Sequence, residues 1–173
     1  MLLALVVSCN TEPKTAVQKK VDSYALVKIE SPDLSGITDN GKEVLNLYKF
    51  AADQADSIYW KQCFGDKMLV ENLKDADLKE YAKINYGPWD RLDGKAFIDG
   101  FGAESPLGAN FYPKDMTTAE FESMDDPVKT SPYSLIRRGA DGRLTSVWYH
   151  DAFEYNIDKI CNYLKAAADI TIK

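Results

Sequence analysis

The chain has 173 residues, of which 45% are hydrophobic and 28% are charged, and its formal net charge at pH 7 is -6. This composition is typical of a folded globular protein and excludes a disordered one, and the length suits a single domain. The only adjacent basic pairs are Lys19-Lys20 and Arg137-Arg138. Because so few basic residues are grouped to neutralise phosphates, we expect no nucleic-acid partner.

The first residues of the chain resemble a bacterial secretion signal. Residues 1–7 are apolar, but a membrane-spanning helix takes about 20 such residues. Val6-Val7-Ser8-Cys9 resembles a lipobox, in which the cysteine is lipidated. We therefore predict a signal-peptide remnant at residues 1–8, lipidation at Cys9 and a polar tether over residues 9–20. The alternative is a chance apolar start with a free cysteine.

This N-terminal pattern also predicts where the protein resides. A lipidated Cys9 makes the protein a cell-envelope lipoprotein that meets the membrane only through its lipid anchor. Asn10 follows Cys9, whereas an aspartate at that position commonly retains lipoproteins in the inner membrane. We therefore expect the outer membrane, with the domain facing the periplasm.

Hydrophobic periodicity predicts a single, mainly helical α+β domain over residues 21–173, with four or five helices. Residues 23–30 are rich in β-forming residues and predict a short strand. Asn40 and Glu43 have capping-box spacing and predict the start of a long amphipathic helix that ends near Gln62. Two shorter helices are predicted over residues 67–72 and 77–84.

The second half of the chain begins with a segment that has neither a helical nor a strand period. Residues 86–113 combine glycines, prolines and aromatic residues, which predicts a long ordered loop. Thr117 and Glu120 then predict a short capped helix that ends near Met124. Residues 134–138 and 143–149 flank the turn sequence Asp141-Gly142 and predict an antiparallel hairpin. A final helix is predicted over residues 151–170.

That final helix has a wide apolar stripe. Phe153, Ile157, Ile160 and Leu164 can meet the local core, whereas Tyr155, Tyr163 and Ile170 extend the stripe around the helix. We therefore expect exposed apolar patches on this helix and on the aromatic loop, and marginal stability or self-association of the chain.

The residues themselves predict no catalytic centre and no metal ligand. His150 is the single histidine, and the sequence contains no HExxH, GxSxG, P-loop or GxGxxG pattern. Cys63 and Cys161 lack CxxC spacing and are predicted to be buried free thiols on helices, with a disulfide between them in an oxidising periplasm as the alternative. Asp90, beside Trp89, is either an acid with a raised pKa or a carboxylate that caps the loop.

Several segments together resemble one enzyme family. They are YALVKIESPDLSGITDNGKEVLNLYKFAADQADSIYWKQCFGDK, INYGPWDRLDG, GANFYPKDMTTAEFE, YSLIRRGADGRL and WYHDAF. They resemble the N-terminal region of bacterial zinc hydrolases of the dipeptidyl peptidase III family, especially lipoproteins of the Bacteroidetes type. In that family, zinc is bound by an HExxGH-type helix and a further glutamate that lie downstream of the matched region.

The resemblance implies that this chain is the N-terminal, non-catalytic portion of such an enzyme. It implies no cofactor in this chain, zinc in the full-length parent protein, a peptide substrate, and a missing C-terminal catalytic region as the partner. The aromatic loop is then expected to form one wall of the peptide-binding cleft. The predicted substrate-binding residues are Asn85, Tyr86, Trp89, Asp90, Arg91 and Asn110.

Two alternatives to this interpretation stay open. The rings of the aromatic loop can simply pack the loop onto its own domain. The chain can also be a free-standing lipoprotein module that binds a peptide or a glycan and catalyses nothing.

Overall fold

The structure is a computed structural model that describes residues 13–25, 27, 30 and 32–171. Its elements, in chain order, are α1 (Ala16–Ser23), α2 (Asp39–Cys63), α3 (Lys67–Glu71), α4 (Ala76–Asn85), α5 (Thr118–Ser123), β1 (Ser134–Arg138), β2 (Leu144–Trp148), α6 (Tyr149–Ala152) and α7 (Glu154–Thr171). This order confirms the mainly helical α+β fold. Within the described residues, the helices beyond those predicted are α1 and α6. The predicted signal remnant and Cys9 lie outside the described residues.

Helix α1 begins inside the predicted tether. Thr15 caps it through a capping box with Gln18, and Lys20 forms a 2.5 Å ion pair with Asp90 of the aromatic loop. Residues 16–20 of the predicted tether are therefore helical. The strand prediction is wrong for residues 23, 24, 25, 27 and 30, since α1 ends at Ser23 and the other four have no strand structure. The remainder of that predicted strand lies outside the described residues.

Helix α2 starts one residue after Thr38, which is its N-cap. The Thr38 hydroxyl accepts a hydrogen bond from Gly41 N at 3.1 Å. The predicted cap, Asn40, already lies in the first turn. A threonine oxygen satisfies a free amide of the first turn as well as an asparagine does, so the earlier residue extends the helix.

Helices α2 and α7 pack as an antiparallel pair. Buried Asn156 of α7 joins them by donating to Gln54 Oε1 at 3.0 Å and accepting from Lys61 Nζ at 2.6 Å. Nearer the other end of α7, the rings of Phe50 and Tyr163 lie 5.5 Å apart. The pair therefore aligns the C-terminal end of α2 with the start of α7.

The aromatic loop contributes to the hydrophobic core. Buried Trp60, Val70 and Ala82 come from α2, α3 and α4. Half-buried residues pack around them, among them Tyr86, Phe97 and Ile98 of the loop. A loop of this length keeps one conformation because its rings replace the packing that a helix or strand would supply.

The hairpin is joined to the end of α2 by residues 110 and 111. Strands β1 and β2 pair antiparallel, with Ser134 opposite Trp148 and Arg138 opposite Leu144. Ile136 N donates to Phe111 O at 2.9 Å, and Asn110 N donates to Gln62 O at 3.0 Å. The segment after Gly108 therefore lies between the hairpin and α2.

The predicted final helix is divided at Phe153, which is buried and ends α6. Tyr155 is 67% exposed, as expected, but Leu164, which was expected to meet the local core, is 46% exposed on the opposite side of α7. Tyr163 and Ile170, which were expected to extend the stripe into solvent, are half-buried. Leu92 and Leu107 are also exposed, so the aromatic loop has apolar surface too. None of the described helices is long and apolar enough to cross a membrane.

The two cysteines within the described residues are both free thiols. Cys63 is half-buried, but Cys161 is exposed, so the predicted burial of Cys161 is wrong. Cys161 shares a side of α7 with Leu164, which α2 also leaves exposed. The apolar stripe of α7 is wider than the surface that α2 covers. The sequence pattern does not show how much of the stripe a partner helix will cover.

Candidate functional site

Five of the six predicted site residues line one concavity. Asn85, Tyr86, Trp89, Asp90 and Arg91 surround a volume of about 260 Å³. The sixth, Asn110, lines an adjoining concavity of about 300 Å³ that shares Cys63, Trp89 and Ala109 with the first. A third concavity, of about 460 Å³, shares Ala109, Asn110 and Lys114 with the second. We call these three adjoining concavities the loop groove.

Asn85 closes the loop on the end of α4. It is buried, its Nδ2 donates to Tyr81 O at 2.9 Å, and its Oδ1 accepts from Arg91 N at 2.9 Å. The amide therefore joins the last turn of α4 to the loop. Its hydrogen bonds position Arg91 at the rim of the groove.

Asp90 anchors the loop from within. Only 4% of it is exposed, and its carboxylate accepts from Lys20 Nζ at 2.5 Å, Tyr81 Oη at 2.7 Å and Leu92 N at 2.9 Å. Burial alone would raise the pKa of this carboxyl, but the hydrogen bonds and the Lys20 charge outweigh burial and hold the pKa at about 2. Asp90 is therefore ionised. Of the two alternatives that the sequence left open, the carboxylate that caps the loop is confirmed and the acid with a raised pKa is wrong.

Tyr86 and Trp89 pack edge-on against neighbouring rings. Tyr86 ends α4 in the left-handed conformation at φ 54°, and its hydroxyl donates to Asp56 Oδ1 at 2.8 Å. The Trp89 ring lies 5.8 Å from that of Phe64. Its Nε1 is buried and has no hydrogen-bond acceptor in the part of the chain that the structure describes. A buried indole donor without an acceptor is costly, and such groups call for an explanation.

Arg91 is the exposed member of the site. Its Nη2 donates to Tyr59 Oη at 2.5 Å, and its guanidinium carbon lies 5.5 Å from the centre of the Tyr59 ring. Tyr59 therefore holds the arginine by a hydrogen bond and a cation–π contact. Tyr59 lies on α2, far from Arg91 in sequence, so no local pattern predicts this contact.

Asn110 links the second half of the loop to α2. Its Nδ2 donates to Lys61 O at 2.8 Å, and its backbone N donates to Gln62 O. The third concavity is lined by four cationic residues that no sequence motif identifies, Lys61, Lys114, Arg137 and Arg138. They belong to α2, the segment directly after the loop, and β1, and no motif spacing relates them.

The described residues do not fit a zinc ion. They bring together no group of three or more His, Cys, Asp or Glu side chains that could hold a metal. His150 stacks on Trp148 and lies 3.5 Å from Asp151. We therefore assign no reaction step through zinc to these residues.

Comparison with known proteins gives two structural similarities and one sequence similarity. The chain matches a structure of dipeptidyl peptidase III from Caldithrix abyssi with a TM-score of 0.72 and 33% identity, over 80% of this chain and 29% of that one. It matches dipeptidyl-peptidase III from Corallococcus sp. strain EGB with a TM-score of 0.78 and 26% identity, over 89% of this chain and 31% of that one. No protein-family model matches.

The sequence similarity is to Nudix hydrolase 3 from Arabidopsis thaliana, which is 27% identical over 78% of this chain and 23% of that protein. The chain thus spans less than a third of each of these three proteins. Over most of its length it has the fold of part of two bacterial dipeptidyl peptidase III structures, which supports a partial hydrolase-like domain.

Proposed function

We propose that this chain is the N-terminal, non-catalytic portion of a zinc-dependent hydrolase of the dipeptidyl peptidase III type, and that the loop groove forms one wall of its peptide-binding cleft. The observation that carries the proposal is the structural similarity to two dipeptidyl peptidase III chains at 33% and 26% identity. The two matches cover 80% and 89% of this chain, so they include most of the fold.

The groove has the chemistry that an extended peptide requires. Arg91 is an exposed donor at one end, and Trp89 presents an aromatic wall that lines two of the concavities. Asn85 and Asp90 are buried and hydrogen-bonded within the protein, so their role is to position the wall. Peptide sites combine apolar walls with a few placed polar groups in this way.

A peptide titration tests the wall. Unlabelled tetrapeptides are added to the isotope-labelled 173-residue chain, and amide and indole NMR shifts are followed. We expect saturable shifts at the Trp89 indole and at residues 85–91 and 110, with the Trp148 indole of the hairpin unchanged. Arg91→Gln should weaken binding about fivefold or more through the loss of a charged hydrogen bond.

The matched control for Arg91→Gln is Arg143→Gln. The Arg143 side chain is 88% exposed on the hairpin turn, outside the loop groove. Equal weakening by the two variants, or peptide shifts that avoid the groove, would contradict the proposed wall.

The non-catalytic role is tested separately. We expect the purified chain to release no dipeptides and to bind zinc only weakly, and we expect an HExxGH motif in the coding sequence that follows Lys173. Dipeptide release by the chain, or stoichiometric zinc binding at sub-micromolar affinity, would refute this role. Peptide binding with an unrelated downstream sequence would instead favour a free-standing binding module.

A further inference from the structure

We propose that the third concavity of the loop groove is a binding site for a small oxyanion, a carboxylate or phosphate group, held between Lys61, Lys114 and Arg137. The concavity is an open depression of about 460 Å³ where the end of α2, the loop and β1 meet. None of the described residues that line it is acidic. It therefore concentrates positive charge in a protein whose net charge is -6.

The three cations lack an acidic partner. In the described part of the chain, no carboxylate lies within salt-bridge distance of any of them. Lys61 Nζ donates to the neutral amide of Asn156, and Arg137 Nη1 donates to the backbone oxygens of Ile136 at 2.8 Å and Phe111 at 3.3 Å. Their charges thus remain uncompensated.

Arg138, the next residue, shows the opposite arrangement. Its Nη1 lies 2.9 Å from Glu120 Oε1, and its Nε lies 3.0 Å from Asp115 Oδ2 without hydrogen-bond alignment. Two adjacent arginines of β1 therefore differ in their electrostatic partners. Both arginines line the concavity. The charge of Arg138 is neutralised by Glu120 and Asp115, whereas Arg137 has no carboxylate partner among the described residues.

Burial makes the free charge of Arg137 costly. Desolvation lowers the pKa of its guanidinium, because a partly buried cation loses hydration that its carbonyl partners replace only in part. Within the described residues, only Nη1 of Arg137 donates hydrogen bonds. The remaining N–H groups can engage a carboxylate or phosphate in the planar geometry that arginine favours.

Calorimetric titration of the 173-residue chain tests this site. The ligands are inorganic phosphate, N-acetyl-dialanine as the free acid, and the same dipeptide as its C-terminal amide. We expect saturable binding of at least one anion and none of the amide. Lys114→Gln and Arg137→Gln should each weaken anion binding about tenfold, the value of one charged hydrogen bond.

Arg143→Gln is the matched control, because it removes the same charge from an exposed position outside the groove. Its anion affinity should stay within about twofold of the unchanged chain, a free-energy difference under about 0.5 kcal/mol. If Arg137→Gln melts at a clearly lower temperature, Lys114→Gln decides, since Lys114 is exposed and its substitution should not disturb the fold.

The ligand pattern identifies the anion. Binding of the free acid alone assigns a carboxylate site, binding of phosphate alone assigns a phosphate site, and binding of both assigns a general oxyanion site. Absence of saturable anion binding, insensitivity to both groove variants, or equal weakening by Arg143→Gln would overturn the proposal. Phosphate binding requires no peptide cleft, so this test and the test of the proposed function can fail independently.

Discussion

Asp90 joins three parts of the molecule through one carboxylate. It accepts hydrogen bonds from α1 through Lys20, from α4 through Tyr81, and from its own loop through Leu92 N. Burial tends to raise its pKa, and these donors lower it to about 2. The carboxylate therefore stabilises the fold only while it is ionised.

We predict that Asp90→Asn destabilises the chain by roughly 2 kcal/mol at pH 7, since each unit of pKa shift corresponds to about 1.4 kcal/mol. The folded-state pKa lies below the ordinary value of 3.8. The stabilisation is therefore present above that ordinary value and is lost as the pH falls through it towards about 2. Urea unfolding of both proteins at pH 7 and pH 3 measures the difference, which should shrink at the lower pH.

The control is Asp93→Asn. Asp93 lies 3.9 Å from the same lysine, but its side chain is 47% exposed, so its removal should cost under about 0.5 kcal/mol. The free energies of unfolding of wild type and Asp90→Asn could also differ by the same amount at pH 7 and pH 3. That result would show that the Asp90 charge contributes nothing to stability.

At the scale of elements, the segment that begins at Gly108 connects the groove to the hairpin. Gly108 has φ 72°, and a Cβ atom on it would overlap the Tyr112 ring. The turn thus needs glycine for its backbone and for the close approach of the ring. Asn110 and Phe111 then reach α2 and β1 through backbone hydrogen bonds.

We predict that Gly108→Ala destabilises the chain by about 2 kcal/mol, because the left-handed conformation and the displaced Tyr112 ring both add strain. Thermal unfolding followed by circular dichroism measures the change. The same substitution should weaken anion binding, since Tyr112 and Asn110 line the third concavity.

Gly36→Ala is the matched control for this turn. A Cβ atom on Gly36 would have no neighbour within 4 Å, and no left-handed φ restricts the position. This substitution should be neutral or slightly stabilising, because it reduces the entropy of the unfolded chain. Equal melting temperatures for the two alanine variants would contradict the argument.

At the scale of the whole molecule, the antiparallel pair of α2 and α7 has an uncovered apolar face. Leu45 and Tyr48 on α2 are 43% and 51% exposed, and Leu164 on α7 is 46% exposed. Helical geometry places all three on the side of the pair opposite Phe50 and Tyr163. Burying 200 Å² of such apolar surface in an interface would contribute roughly 5 kcal/mol of favourable free energy.

We predict that the chain self-associates through this face. Sedimentation equilibrium should show a concentration-dependent dimer, and Leu45→Lys combined with Leu164→Lys should weaken it at least about tenfold, through the cost of burying charge. Leu92→Lys is the control, because Leu92 is 85% exposed on the aromatic loop. A protein that remains monomeric at every concentration would rule out this role of the face.

The sequence by itself determined the elements whose signals are local. The capping box of Thr117 and Glu120 is present at the start of α5, and the turn at Asp141-Gly142 joins β1 to β2. Helices α2, α3 and α4 lie close to their predicted ranges. These elements depend on neighbours a few residues apart, and such neighbours can be identified directly in the sequence.

Only the tertiary structure decided what the aromatic loop and its charged residues do. The Asp90 carboxylate is ionised because Lys20 and Tyr81 reach it from separate helices. Arg137 and Arg138 are adjacent in sequence, yet only Arg138 has an acidic partner in the described part of the chain. Burial and charge compensation depend on contacts between distant segments. Local periodicity and spacing carry no information about such contacts. The roles of these residues therefore follow only from the tertiary structure.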